Sequence, residues 1–328
     1  MGRRPAAGEH VHEIDDQTIE ALEARLGRAH LRRRLAIESD RAAHVMTSRQ
    51  GRKLFHLENS RIAKALIFSF LEISGLMRRG ARNAAAVRVR TNGVPIADLP
   101  TELDGFTLLQ ISDLHVDRSP GAMARLAELL PELSYDVCVL TGDYRGDVRG
   151  SHRAAIDGIA KVRPLIKSPV YGILGNHDGL VLLPALEALG IQMLMNETAV
   201  IERGAERLYL AGIDDANFYG TEDLGRAAAP VPRPGVSILL SHTPEVYREA
   251  EAAGFALMLC GHTHGGQICL PGGIAVMTAS TAPRWTVAGV WRYQKLQGYT
   301  SAGLGTSMVT ARFNCPPEIT LHRLERVS

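Results

Sequence analysis

Side chains that can bind a divalent metal ion recur at five places between residues 113 and 264. Each set stands close behind a short apolar run, and the residues are Asp113, His115, Asp143, Asn176, His242, His262 and His264. Carboxylate and amide oxygens together with imidazole nitrogens suit borderline ions such as Mn²⁺, Fe²⁺ and Zn²⁺. No cysteine joins the set, which argues against a structural zinc site. The residue types therefore predict a site for metal-dependent chemistry.

The apolar runs before these residues are predicted to be buried strands of an α/β domain. They cover residues 106–111, 136–140, 170–174, 238–240 and 256–259. Helical patterns lie between several of them, at residues 122–133, 152–166, 180–189 and 244–253. Ligands of an α/β sheet gather beyond the carboxyl ends of its strands, so the five polar sets are expected to converge on one small volume. Alternating residues 87–90 predict a further strand, which the sequence Thr91-Asn92-Gly93 is expected to end in a turn.

A simpler interpretation must be weighed against the metal site. A lone Asp or His at a strand end is most often a cap or turn residue, and the glycines before Asp143, Asn176 and His262 also suit tight turns. One such residue would carry no argument. Five sets in a row, each behind an apolar run, are not explained by turn chemistry, and we interpret them as one site.

The first ninety residues differ from the rest in net charge and in predicted secondary structure. They carry 18 Lys and Arg against 10 Asp and Glu, a net +8, whereas the remaining 238 carry 19 against 25, a net −6. Residues 14–83 lack proline and are predicted to be helical. The apolar run 65–77 is flanked by Arg61 and Lys64 before it and by Arg78 and Arg79 after it. Thirteen residues span only about 20 Å, so this run can pack on a core or lie on an anionic membrane surface but cannot cross a bilayer.

The composition places the chain among ordinary globular proteins. Of its 328 residues, 45% are hydrophobic and 22% charged, which excludes disordered and fibrous classes. The first twenty residues lack the apolar core of a signal peptide, and four cysteines without a CxxC pair are typical of reduced thiols. These features predict a cytoplasmic protein with no nucleic-acid partner. We divide it into a basic helical extension at residues 1–84 and a domain at residues 85–328.

The motifs resemble those of the calcineurin-like metallophosphoesterases. The matching segments are Asp113-Leu114-His115, Gly142-Asp143, Gly175-Asn176-His177-Asp178, His242 and Gly261-His262-Thr263-His264. A further tail, Gly265-Gly266-Gln267-Ile268 and then residues 312–319, resembles a subgroup of bacterial membrane-associated phosphodiesterases that includes UDP-2,3-diacylglucosamine pyrophosphatases. The resemblance implies a sandwich of two mixed β-sheets flanked by helices, here with a helical N-terminal extension.

The resemblance also implies a role for each matched residue. Asp113, His115 and His264 would bind a first metal ion. Asn176, His242 and His262 would bind a second, and Asp143 would bridge the two. His177 would be the general acid that protonates the leaving oxygen, oriented by either Asp178 or Asp147. The implied cofactor is a pair of divalent ions, manganese first, with iron, zinc or magnesium as alternatives.

The implied activity is hydrolysis of a phosphodiester or pyrophosphate bond by a hydroxide that bridges the two ions. The resembled subgroup implies a lipid-linked substrate, such as UDP-2,3-diacylglucosamine, and an enzyme that is peripheral on the inner face of the cytoplasmic membrane. Two alternatives stay open, a cyclic-nucleotide phosphodiesterase or nucleotidase and a non-catalytic scaffold of the same fold. Residues 142–147 lack the Asp-Arg pair of the related protein phosphatases, which disfavours a protein substrate.

Overall fold

The computed structural model describes residues 14–43, 61–148, 151–167, 169–278, 280–307 and 309–327. Its α-helices are α1 (Asp16–Leu26), α2 (Arg28–Ala43), α3 (Arg61–Ile73), α4 (Met77–Ala85), α5 (Pro120–Leu129), α6 (Arg153–Val162), α7 (Leu182–Ala188), α8 (Leu224–Ala228) and α9 (Tyr247–Ala252). Its strands are β1 (Arg88–Ala97), β2 (Thr107–Ile111), β3 (Val137–Leu140), β4 (Val170–Gly172), β5 (Ile191–Met193), β6 (Glu197–Arg203), β7 (Glu206–Gly212), β8 (Val236–Leu240), β9 (Leu257–Cys260), β10 (Cys269–Leu270), β11 (Ile274–Ala275), β12 (Gly289–Tyr293), β13 (Leu296–Thr300) and β14 (Glu318–Val327).

Two mixed six-stranded sheets form the centre of the fold, as expected. The first has the order β1-β14-β2-β3-β4-β5, and β2 to β5 run parallel. The second has the order β12-β13-β9-β8-β7-β6, with β13, β9, β8 and β7 parallel. Because parallel neighbours end at one edge of a sheet, β2, β3 and β4 deliver their following loops side by side, and β8 and β9 do the same.

Alternate residues of the central strands face opposite sides of each sheet. In β3, Val137 and Val139 belong to the core between the sheets, whereas Cys138 and Leu140 face the helices outside. In β9, Leu259 joins the core between the sheets while its neighbour Met258 packs on the outer side. Strands buried on both faces read as continuous apolar runs, which is why these runs were recognisable in the sequence. The fold is a sandwich of two sheets with helices on both outer faces.

The N-terminal helices contribute to the main core. Leu22 and Leu26 of α1 and Leu31 of α2 are buried in the same cluster as residues of β2, β3 and α5. The part of the predicted helical region at residues 44–60 lies outside the described residues. Further along, α3 packs through Leu71 against Val309. In the described part of the chain, no helix combines the length and apolar character that crossing a membrane requires.

The turn predicted at Thr91-Asn92-Gly93 is wrong. Strand β1 continues through these residues and pairs in parallel with β14, so that Asn92 lies opposite His322. The side-chain amide of Asn92 is hydrogen-bonded to the ring of His322 at 3.0 Å. Pairing with a strand more than two hundred residues away overrides the local turn preference.

Candidate metal centre

The loops that follow β2, β3, β4, β8 and β9 bring the seven candidate ligands together between the ends of the two sheets. All seven are buried, namely Asp113, His115, Asp143, Asn176, His242, His262 and His264. Three loops of the first sheet carry Asp113, His115, Asp143 and Asn176. Two loops of the second sheet carry His242, His262 and His264. The convergence follows directly from the parallel strand order.

The first group of possible metal-binding atoms comprises Asp113, His115 and His264, whose ligand atoms lie within 4.8 Å of one another. The Nε2 atoms of His115 and His264 are 3.1 Å apart, and Nε2 of His264 is 3.6 Å from Oδ1 of Asp113. These separations place three donor atoms around one point. The group has the composition and size of a site for one divalent ion.

The second group comprises Asp143, His242 and His262. The amide oxygen of Asn176 lies 3.0 Å from Nε2 of His242 and 2.8 Å from Nδ1 of His262, so it belongs to the same cluster. Nε2 of His242 is also 3.4 Å from Oδ1 of Asp143. Two imidazoles, one amide and one carboxylate therefore surround a second point.

Asp143 lies between the two groups. Its Oδ2 is 3.8 Å from Nε2 of His115, whereas its Oδ1 is 3.4 Å from Nε2 of His242. The carboxylate thus presents one oxygen to each group. Such a position is what a residue that bridges two ions about 3.5–4 Å apart requires.

The hydrogen bonds on the far side of the rings fit a cation in the pocket. Nδ1 of His242 lies 2.7 Å from the carbonyl oxygen of Thr141, and a carbonyl can only accept, so Nδ1 donates. In the neutral ring Nε2 then carries a lone pair that faces the amide oxygen of Asn176 at 3.0 Å. Nδ1 of His115 is fixed likewise, 2.7 Å from the carbonyl oxygen of Arg145. Lone pairs that face one another at this distance repel, and a positive ion between them removes the repulsion.

Charge coupling among the candidate ligands leads to the same conclusion. Burial alone would raise the pKa of Asp143, but the rings of His242, His177 and His115 outweigh it and hold that pKa well below its usual value. Burial would lower the pKa of His242, yet the carboxylates of Asp143 and Asp113 raise it to about 10. A proton on His242 thus takes the place of positive charge that the carboxylates demand. The residues present fit a pair of divalent ions.

Five of the seven candidate ligands have left-handed backbone conformations. The φ angles are 50° for Asp113, 40° for His115, 57° for Asp143, 70° for His262 and 49° for His264. Non-glycine residues rarely adopt positive φ, and such residues cluster at functional sites. The sharp turns aim successive side chains into the pocket instead of along the strands.

Two glycines allow the loops to approach this closely. A Cβ on Gly175 would collide with the backbone nitrogen and Oδ1 of Asp143, and a Cβ on Gly261 would collide with Oγ of Ser112. From the sequence, tight turns were the simpler alternative for the glycines of these motifs. The structure assigns Gly175 and Gly261 to close packing between loops.

Asp178, one of the two carboxylates considered for orienting His177, braces the loops of the pocket. Its Oδ2 accepts hydrogen bonds from the backbone N–H groups of Asp143 and Gly175, both at 2.8 Å, and its Oδ1 accepts one from Tyr144 at 3.0 Å. Burial, followed by the charge of Asp143, raises the pKa of Asp178 to about 6. The carboxylate ties the β3 and β4 loops together beneath the two groups of donors.

His177 lies at the edge of the pocket. Its Nδ1 is 2.9 Å from the carbonyl oxygen of Gly146, so a backbone carbonyl meets the nitrogen for which Asp178 and Asp147 were considered. Its Nε2 lies 3.9 Å from Oδ2 of Asp143, and its own backbone N–H donates to Oδ1 of that residue at 2.8 Å. His177 also forms a possible metal-binding group with His115 and Asp143.

Three residues near the pocket were missed or left undecided by the sequence. Asn217 places Nδ2 3.4 Å from Nε2 of His262, and no local motif announced it. Asp117 accepts a hydrogen bond from the backbone of Gly146 at 2.6 Å, and its place two residues after His115 was the available signal. Arg312, noted only as part of the tail, is wholly buried beside His264.

Comparisons with known proteins agree with this geometry. The model of the calcineurin-like phosphoesterase family matches residues 106–266. Phosphodiesterase YaeI of Escherichia coli is 30% identical over 67% of this chain and 82% of its own length. The metallophosphoesterase YkoQ of Bacillus subtilis is 26% identical over 79% of this chain and 98% of its own. A transmembrane protein with a metallophosphoesterase domain from Danio rerio is 30% identical over 53% of this chain and 44% of that protein.

The fold and the site thus define a metal-dependent phosphoester hydrolase. The chain belongs to the calcineurin-like phosphoesterase family, as its motifs indicated. The family implies a dinuclear divalent metal site, and the two groups of donor atoms on either side of Asp143 are the candidates for it.

Proposed function

We propose that this chain hydrolyses a phosphodiester or pyrophosphate bond at a centre of two divalent ions, manganese first. In this proposal Asp113, His115 and His264 hold one ion. Asn176, His242 and His262 hold the other, and Asp143 contacts both. The supporting observation is the position of Asp143, with one carboxylate oxygen towards each group of donors.

The chain's own residues would bind, orient and move protons around the reacting phosphate. When bound, the pair of ions supplies charge for the phosphoryl oxygens and activates the attacking water. His177 donates from Nδ1 to Gly146, which directs Nε2 into the pocket, where it can hold the proton that the leaving oxygen takes up. The neutral amide of Asn176 limits the negative charge that an incoming phosphate meets.

We further propose that the substrate is lipid-linked and that the enzyme is cytoplasmic and peripheral on the inner face of the cytoplasmic membrane. Helix α3 supports this. Leu71 packs on Val309 of the domain, whereas Phe68, Phe70 and Ile73 of the same helix are 51%, 65% and 88% exposed. Positions 66, 70, 73 and 77 are spaced to share one helical face, which predicts that Leu66, Phe70, Ile73 and Met77 lie together. Met77 instead packs against the domain, and the side chain of Leu66 lies outside the described part.

A second apolar surface lies next to the candidate ligands. The hairpin of β10 and β11 begins five residues after His264 and leaves Leu270 54% and Ile274 58% exposed. Ile268, at the base of the hairpin, packs in the same small cluster as Leu71 of α3. Exposed arginines follow α3 on α4, at positions 78, 79 and 82. Apolar side chains flanked by basic ones are typical of a surface that contacts anionic lipid.

Hydrolysis of bis(p-nitrophenyl) phosphate tests the catalytic part of the proposal. We expect activity with Mn²⁺, loss of that activity with EDTA, and its recovery when Mn²⁺ is added back. A panel of UDP-diacylglucosamine, glycerophosphodiesters, cyclic nucleotides and nucleotides then tests the substrate class. Preference for the soluble nucleotides would refute the lipid-linked class, and no hydrolysis of any ester by the metal-loaded protein would refute the activity.

Flotation with anionic liposomes tests the membrane part. We expect the protein to float at low salt and the double variant Phe70→Ser and Ile73→Ser to remain at the bottom. Val290→Ser is the matched control, because Val290 is 66% exposed on β12. Equal flotation of both variants and the wild type would contradict a role for α3.

A further inference from the structure

Arg312 lies wholly buried beside the first group of donors, and its guanidinium contacts main-chain oxygens from three segments. It donates to the carbonyl oxygens of Ala302 at 2.7 Å, Gly303 at 3.1 Å and Gly305 at 2.6 Å. Further contacts at 3.4 Å reach the carbonyl oxygens of His264 and Cys315. A buried cation is costly unless its donors are met, so this many contacts hold the guanidinium at one place.

The segment at residues 302–305, which Arg312 holds on one side, supports Asp113 on the other. The backbone N–H of Gly305 donates to the carbonyl oxygen of Asp113 at 2.7 Å, and that of Leu304 donates to Ser112 at 2.9 Å. The packing is close, because a Cβ on Gly303 would lie 2.8 Å from Cβ of Asp113. The segment therefore fixes Asp113 in its left-handed conformation.

The same guanidinium also contacts His264 directly. Besides the carbonyl contact, Nη2 of Arg312 lies 3.3 Å from Nδ1 of the His264 ring, which is the nitrogen that faces away from Asp113. The Cys315 thiol adds a contact to the His264 carbonyl oxygen at 3.2 Å. One buried side chain therefore constrains both the backbone and the ring of His264.

The second group is held by other elements. The ring of His242 is fixed by the carbonyl oxygen of Thr141 on the β3 loop. The loop that carries Asn176 is tied by Gly175 to the carboxylate of Asp178. Neither support involves residues 302–315. His262 is the link between the two groups, because its backbone N–H donates to both carboxylate oxygens of Asp113, at 3.0 and 3.1 Å. The supports of His242 and Asn176 thus lie on other parts of the fold than residues 302–315.

We propose that Arg312 is a positioning residue for the first group more than for the second, and that it sets the affinity of the first group for its ion by holding Asp113 and His264. The inference rests on the proposed division of the ligands between two ions. The proposed role depends on the geometry of the guanidinium and not on its charge alone. A lysine keeps the charge but cannot reach three segments with one planar group of donors. An arginine-to-lysine change at this position is therefore informative.

The test measures Mn²⁺ binding by Arg312→Lys with calorimetry and electron paramagnetic resonance. We expect the ion of the first group to bind at least ten-fold more weakly and the spectrum at limiting Mn²⁺ to change from coupled pairs to single ions. His115→Ala, which removes a first-group donor, provides the reference spectrum for this loss. Arg33→Lys makes the same change at an exposed arginine and should keep the coupled spectrum.

Several outcomes overturn the proposal. Unchanged affinities and a coupled spectrum in folded Arg312→Lys would show that the guanidinium does not position the ligands. Equal weakening of both ions would refute its selectivity. Arg312→Gln is a second variant, and if neither folds in EDTA, as judged by thermal unfolding, the residue is structural and the proposal fails. If the wild type binds a single ion, it is the proposed dinuclear function that fails, and the Arg312 variants are then compared for that one ion.

Discussion

Removing the guanidinium of Arg34 is predicted to destabilise the whole domain, although the residue belongs to the N-terminal helices. Arg34 of α2 is wholly buried and stacks on the ring of Tyr219, with the guanidinium carbon 3.1 Å from the ring centroid. Its Nη1 is 3.5 Å from Oδ1 of the equally buried Asp214, its Nε is 3.2 Å from Glu38, and its Nη2 donates to the carbonyl oxygen of Asp178 at 2.9 Å. Arg34→Met keeps the length and apolar stem but leaves the carboxylate of Asp214 without this cation.

The size of the effect follows from the burial of Asp214. Burial would raise the pKa of this carboxyl, but Arg34, followed by His30, lowers it from 3.8 to about 2. A difference of that size corresponds to roughly 2 kcal/mol. Leaving a buried charge without its partner costs about 3–5 kcal/mol. We therefore expect Arg34→Met to lower the free energy of unfolding by about 3 kcal/mol at pH 7.

The pH dependence of the free energy of unfolding is a second, independent test of the role of Asp214. In the wild type the pKa of Asp214 is depressed, so its contribution is present above pH 4 and is lost as the pH falls through about 2. Without Arg34 that pKa rises, so the penalty is largest at neutral pH and shrinks as the carboxyl takes up a proton. The difference in free energy of unfolding between Arg34→Met and the wild type should become smaller from pH 7 towards pH 4.

Urea unfolding in EDTA at pH 7, 6 and 5 measures both effects. Arg33→Met is the control, because Arg33 is the preceding residue on the same helix and is exposed. A variant Arg34→Met as stable as Arg33→Met would show that α2 is not an integral part of the domain and would favour the boundary that we place at residue 84. If the difference in free energy of unfolding between Arg34→Met and the wild type stays constant or increases as the pH falls, the assigned role of Asp214 is refuted.

Three further changes address the metal centre. Asp143→Asn should weaken the binding of both ions at least a hundred-fold and lower turnover at least a thousand-fold, because its carboxylate faces both groups. Calorimetry that shows one ion lost and the other bound as before would contradict this. His177→Ala should retain metal and lose about 10²–10⁴-fold in kcat on esters with poor leaving groups but far less on nitrophenyl esters, and equal losses on both would refute the role of general acid. Gly175→Ala should abolish metal binding through its clash with Asp143, whereas Gly225→Ala, where a Cβ meets only Asp223 at 3.5 Å, should not.

The sequence predicted the part of the site that depends on strand order. Asp113, Asp143 and Asn176 each follow a strand buried on both faces, and such strands are legible as apolar runs. Because neighbouring parallel strands end together, knowing the strands was enough to expect these side chains in one place. The structure does bring all seven candidate ligands together.

What the sequence did not predict depends on partners that are distant along the chain. Strand β1 runs through a local turn sequence because β14 pairs with it from the far end of the protein. Arg34 lies in a helix rich in basic residues, and its partner Asp214 is 180 residues away along the chain. The support that Arg312 gives to His264 is likewise invisible to spacing. Such contacts are set by tertiary packing, on which local propensities carry no information.

The left-handed residues of the pocket create a conflict between durability and catalysis. Positive φ costs a residue with a side chain roughly 1 kcal/mol, and five of the candidate ligands adopt it. Their sum is comparable with the net stability of a typical domain, so the rest of the fold overrules these local preferences. Replacement of Asp113, His115 or His264 by glycine would relieve this cost. A laboratory selection for heat resistance alone would therefore enrich such replacements. Such a selection would dismantle the active centre before it improved the remainder of the protein.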